Sequence, residues 1–110
     1  MPQYMLLLRN EPFPTDLSPE EMQAIFLRYR EWMQTMKTVG GQKLKDGEGR
    51  IVRANGSGVQ VTDGRFAEAK EILGGFFIIE AATYDHAIAM ASKGPHLDYG
   101  SIEVRAVAGM

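Results

Sequence analysis

The sequence predicts an α+β fold: one mixed-order sheet with its helices gathered on a single face. Three observations carry this. Residues 5–8 and 76–79 are short runs apolar at every position, the pattern of strands buried on both sides. A long amphipathic helix follows the first run, opened by Ser18-Pro19-Glu20-Glu21. A shorter helical segment follows the second run and leads into an alternating strand at 101–107. A length of 110 residues sets a single domain, 1–110, with one core.

The elements can be justified in order. Residues 4–9 (YMLLLR) read as a buried strand, and Pro12 and Pro14 make 10–17 a loop. Ser18 caps the first helix, Pro19 suits its first turn and Glu21 completes a capping box. Met22, Ile25, Phe26, Tyr29, Trp32, Met33, Met36 and Val39 then recur at helical spacing, which carries the helix to Gly40-Gly41. Leu27 falls opposite that stripe and is expected to be exposed. Residues 42–45 and 50–54 read as strands around a turn at 46–49. Asn55-Gly56 signals a tight turn, lengthened by Ser57-Gly58, with 59–62 pairing back. Residues 66–73 fit two helical turns, and 75–81 form the second buried strand. Thr83 caps a helix through Ala91, with Ala87, Ile88 and Ala91 inward, and Lys93-Gly94-Pro95 ends it. In the last strand Ile102, Val104 and Ala106 face one way, Glu103 and Arg105 the other.

This order, β-α-β-β-(short α)-β-α-β, is close to a ferredoxin-like split βαβ sheet, with the two doubly apolar strands central. Helices cover one face. The other, built from Met5, Leu7, Phe77 and Ile79 or their alternates, is too apolar to stand in water. A homodimer joined through sheet faces is the expected cover.

Composition removes several function classes. Twelve basic against fourteen acidic residues, net charge −2, lack the basic excess that phosphate backbones attract, so no nucleic-acid partner is expected. With no cysteine there are no disulfides, thiolate nucleophiles or Cys-zinc sites. The apolar run near Met1 is too short for a leader core or a membrane span, so a cytoplasmic location with no membrane partner is expected. His86 and His96 show no HxxxH or HxH spacing, Gly56-Ser57-Gly58 is followed by no Gly-Lys-Ser/Thr, and Met22, Met33 and Met36 read as core. No metal and no flavin, haem or nicotinamide cofactor is expected.

The polar residues that remain lie beside the sheet. Asp63, in an Asp-Gly turn, and His96 are a candidate acid–base pair, since a carboxylate orients an imidazole and raises its pKa. Taken singly, Asp63 reads as a turn residue and His96 as a loop residue packing its ring after Pro95. Glu68 and Glu71 share one helical face, with Lys70 between them, suited to binding a cation or a polar ligand or, with split pKa values, to acid–base work, while a solvated face is the usual reading of such a cluster. Glu103 and Arg105 point to the open sheet face, as a salt-bridged edge pair across the dimer, or with Arg105 as the anchor for a ligand carboxylate or phosphate and Tyr99 supplying a hydroxyl.

The chain resembles the YCII-related family, and within it the DGPF subgroup. The residues that carry this are Tyr4-Met5-Leu6-Leu7, Ser18-Pro19-Glu20-Glu21 and Val61-Thr62-Asp63-Gly64-Arg65-Phe66. They continue through Glu68-Ala69-Lys70-Glu71, Leu73-Gly74-Gly75-Phe76, Pro95-His96-Leu97, Tyr99-Gly100 and Ile102-Glu103-Val104-Arg105. The resemblance implies a dimeric α+β barrel of ferredoxin-like subunits. It also implies a His-Asp active-site pair, here His96 and Asp63, and for the subgroup a gene setting beside alternative sigma factors. Two positions depart from it: Arg65 stands where the motif has proline, and Ala106 stands for a second proline. Arg65 releases the turn and brings a cation near Asp63 and Glu68, to pair with one of them or to project into the cleft. Two functions are therefore expected to compete: acid–base chemistry on a small polar molecule, or a non-catalytic ligand- or partner-binding regulator.

Overall fold

The computed structural model describes residues 1–10, 16–45, 48–63 and 72–109. The chain runs β1 (Gln3–Asn10), α1 (Pro19–Gln34), β2 (Lys37–Lys43), β3 (Arg50–Asn55), β4 (Gly58–Asp63), β5 (Ile72–Glu80), α2 (Tyr84–Ala91) and β6 (Gly100–Ala106). A 3-10 turn, Pro95–Asp98, joins α2 to β6. Strands β2, β5, β1 and β6 form one sheet in that order, each neighbouring pair antiparallel. With β3 and β4 set apart as a two-stranded ribbon, this is the ferredoxin-like order with β1 and β5 central.

Strand register decides which side chains meet the helices. Tyr4, Leu6 and Leu8 of β1 stand opposite Ile79, Phe77 and Gly75 of β5, and opposite Ala106, Val104 and Ile102 of β6. Tyr4, Leu6, Leu8 and Ile79 make the core with Trp32, Met36, Ala81, Ala87 and Ala91, and half-buried Phe77, Ile102 and Val104 pack against it. Leu6 and Ile79 are fully buried, each worth about 1.5–3 kcal/mol of transfer free energy. The opposite face carries Met5 and Leu7 paired with Ile78 and Phe76. Phe77 and Ile79 therefore belong to the helix side, and the open face uses their alternates. Pairing phase, which the sequence leaves undetermined in a doubly apolar run, settles this.

The start of α1 follows the expected chemistry. The Glu21 amide donates to Ser18 Oγ at 3.1 Å, and the Ser18 amide donates to Glu21 Oε1 at 3.3 Å. Its end differs. The helix stops at Gln34, where the Thr35 hydroxyl turns back to the Trp32 carbonyl at 2.6 Å, and the next residues become β2. Val39 thus lies in a strand and is exposed, and the strand expected at 42–45 starts earlier. Gly40-Gly41 is paired strand just after a bulge at Val39 rather than a helix stop. A Cβ on Gly41, which has φ 155°, would lie 2.6 Å from both the Phe76 carbonyl oxygen and Phe77 Cδ1. Close approach of β2 to β5 requires glycine there.

Elsewhere the pattern holds more closely. Leu27 is exposed, and Thr83 caps α2 by accepting from the His86 amide at 3.1 Å. Ala87 and Ala91 are buried, while Ile88 points outward. The helix breaker has a packing role as well. A Cβ on Gly94 would come 2.8 Å from the Trp32 ring, so glycine lets that ring lie against the chain as its Nε1 donates to the Met90 carbonyl at 3.0 Å. Asn55 and Gly58 bracket a two-residue turn with Gly56 at φ 64°, shorter than the loop expected. The helical turns expected at 66–73 lie mostly outside the described residues; Ile72 and Leu73 are already strand.

Candidate functional site

Residue 9 is where the two layers of the molecule meet. Its backbone carbonyl faces the helix layer, and its guanidinium lies on the open face of the sheet. On the helix side, His96 Nε2 lies 2.8 Å from the Arg9 carbonyl oxygen, and His96 Nδ1 lies 2.8 Å from the Tyr29 hydroxyl. A carbonyl only accepts, so Nε2 carries a proton, and in the neutral ring Nδ1 accepts from Tyr29. The ring is 3% exposed and meets Tyr29 edge-on at 5.9 Å between centroids. The bend after Gly94-Pro95 turns it inward. Both ring nitrogens are engaged, so proton transfer to an outside molecule requires one of these bonds to open.

Tyr29 sits in the same layer. Burial pushes its hydroxyl up to about 12, with Tyr99 and Asp98 adding to the rise and Arg28 opposing it. It therefore stays a proton donor to His96 far above neutral pH. Arg28 and Asp98 close the outer side of this corner with an exposed pair at 3.2 Å between α1 and the 3-10 turn.

On the open face, Arg9 Nε and Nη2 both reach Glu103 Oε1 at 3.4 Å. Arg105 Nη1 lies 3.7 Å from Glu103 Oε2. One carboxylate thus stands between two guanidinium groups, next to Leu7, which pairs directly with Glu103 in the sheet. Among the described residues of this cluster the balance is one positive charge in excess. At the other end of the strands Lys37 and Glu80 pair at 2.8 Å; their hydrogen bond raises the lysine's pKa and lowers that of the carboxyl. Glu103 and Arg105 pair within one chain, whereas the edge pair expected of them runs across the dimer.

The backbone of Asp63 ends β4 opposite Arg50, and its side chain lies outside the description. Arg65, Glu68, Lys70 and Glu71 lie outside the described residues. Tyr99 is half-buried beside Tyr29. Arg9 and Tyr29 were not among the residues singled out from sequence. Alternation from Leu7 marks Arg9 as open-face, but Tyr29 reads as one more member of the apolar stripe.

Two surface grooves among the described residues lie away from the Arg9–Glu103–Arg105 cluster. One of about 320 Å³, between α2 and β6, is lined by Ile88, Ala91, Ser92, Leu97, Ile102 and Val104. Another of about 260 Å³ lies beside Trp32 with Arg28, Glu31 and Lys93 around it. Among the described residues no three His, Asp or Glu side chains are grouped to hold a metal ion, and no helix is long and apolar enough to cross a membrane.

The split βαβ sheet makes this chain one of the small α+β proteins of ferredoxin-like order. The profile of the YCII-related domain matches residues 3–110, so the protein belongs to the YCII-related family. A comparison with curated proteins gives no match.

Proposed function

We propose that this protein binds a small anionic molecule on the open face of its sheet, with Arg9 and Arg105 as the ligand's anchors. The observation that carries the reading is the pair of guanidinium groups around the single carboxylate of Glu103. Arginine presents planar, bidentate donors suited to carboxylate and phosphate, and the second guanidinium is only loosely satisfied at 3.7 Å. His96 acts here as a positioning residue: it fixes the carbonyl of Arg9 and so the end of β1.

The open face also supports a homodimer. Met5, Leu7, Phe76 and Ile78 form an apolar centre with charges around it, and a second copy laid face to face would enclose the arginines in a drier cleft. The Asp63-Gly64-Arg65-Phe66 motif adds the DGPF subgroup reading, with its implied role beside transcription control. A cytoplasmic location fits these readings. The test is a thermal-shift screen with small mono- and dicarboxylic acids and phosphate monoesters at fixed ionic strength. A stabilising acid whose effect disappears in Arg105→Ala supports the site. Equal shifts in wild type and variant would overturn it.

Acid–base chemistry by His96 with Asp63 is the second reading. Its support is the imidazole held between a hydroxyl and a carbonyl at 2.8 Å, an arrangement that fixes its tautomer. A reaction that survives in His96→Gln removes it.

A further inference from the structure

Strands β3 and β4 form a hairpin of their own, separate from the four-stranded sheet. Among the described residues it has no substantial packing against the sheet or helices, and the molecule measures 47 × 44 × 19 Å. Its register places Val52 opposite Val61 and Ala54 opposite Val59, so all four lie on one face. Arg53 and Gln60 pair on the other face, as do Ile51 and Thr62. Val52, Val59 and Val61 are 63%, 68% and 57% exposed. Single exposed apolar residues are ordinary, but a cross-strand patch of three valines on a projecting ribbon is not. A two-stranded hairpin is marginal in water on its own.

We propose that this hairpin is an arm that grips a second copy of the chain, its valine face packing against the partner's body at the rim of the open sheet face. The inference rests on the dimer reading above and supplies what that reading lacks. Four strands spaced by ~4.8 Å and about eight residues long at ~3.3 Å each outline roughly 500 Å², whereas each partner in a stable complex buries about 800 Å². A two-stranded arm of six-residue strands adds roughly 200 Å² on the same dimensions, given by each copy and received by each. The arm is also tied to that surface in sequence. It is inserted between β2 and β5, whose last pairing is Lys43 with Gly75, and the neighbouring Phe76 stands on the open face. A two-fold axis makes the exchange reciprocal: one arm's docking position implies the other's.

The experiment is sedimentation equilibrium on wild type, Val61→Glu, Arg53→Glu and Leu7→Glu, with circular dichroism on each. Val61 is already exposed, so Val61→Glu is expected to keep the monomer's fold. It should raise the dimer dissociation constant at least tenfold, while Arg53→Glu, on the opposite face, leaves it within about twofold. If Leu7→Glu weakens the dimer and Val61→Glu does not, the arm is overturned and the sheet-face dimer stands. Equal weakening by Val61→Glu and Arg53→Glu removes the role of the valine face. A wild type that stays monomeric at micromolar concentration overturns both readings.

Discussion

His96 is held by two hydrogen bonds and by the edge of Tyr29, so its removal has structural consequences. His96→Ala leaves the Arg9 carbonyl and the Tyr29 hydroxyl short of a partner around a new void. The expected loss is about 2–3 kcal/mol, measured by urea denaturation. His96→Gln keeps a donor and an acceptor and should recover part of it; equal losses in both variants would show that packing alone matters. Tyr29 gives a second measurement. Its folded pKa of about 12 lies above the ordinary 10.0, so the fold holds the proton more tightly. Its contribution is complete below pH 10 and is lost as pH rises towards 12. Ultraviolet titration should show one of the four tyrosines ionising late, and Tyr29→Phe should remove that late step. The sequence marks His96 well, because a histidine after Pro95 at a helix break is conspicuous. It hides Tyr29, whose ring is apolar enough to sit in the stripe while only its hydroxyl takes part.

At the scale of elements, helix α1 shows what local chemistry can and cannot specify. Its capping box lies within four consecutive residues, so Ser18→Ala should cost about 1 kcal/mol, read from the melting transition. Glu21→Ala is expected to cost less, since it leaves the Ser18 hydroxyl bonded to the helix amide. The end of α1 has no such local rule. Met36 and Val39 continue the helical spacing, yet β5 needs an edge partner, and residues 37–43 satisfy it. Thr35, Thr38 and Val39 are β-branched and favour that outcome. Gly41→Ala tests the assignment. Its Cβ meets backbone of β5, so the variant should melt well below wild type, with a cost of about 1–3 kcal/mol. A helix-stop glycine would tolerate alanine far better.

For the molecule as a whole, the open face is the deciding surface. Met5, Leu7, Phe76 and Ile78 are each half-buried in the single chain, and among the described residues the valine arm has no substantial packing against the sheet or helices. If a second copy covers both, folding is linked to association. The melting temperature should then rise with protein concentration between about 1 and 100 micromolar. A melting temperature independent of concentration would mean that the monomer carries its own stability.

What the sequence determined by itself is whatever nearest-neighbour chemistry controls: the N-caps at Ser18 and Thr83, the turn at Asn55-Gly56, the inward and outward sides of β6, and the two central strands. Each follows from a few consecutive residues whose hydrogen bonds or alternation admit one answer. Tertiary structure decided the face of β1 and β5 that meets the helices, the conversion of residues 37–41 into an edge strand, and the meeting of Arg9, Tyr29 and His96. These come from residues 20 and 67 positions apart along the chain. Only pairing register and the close approach of β2 to β5 bring such groups together, and a doubly apolar run carries no alternation from which that register can be read.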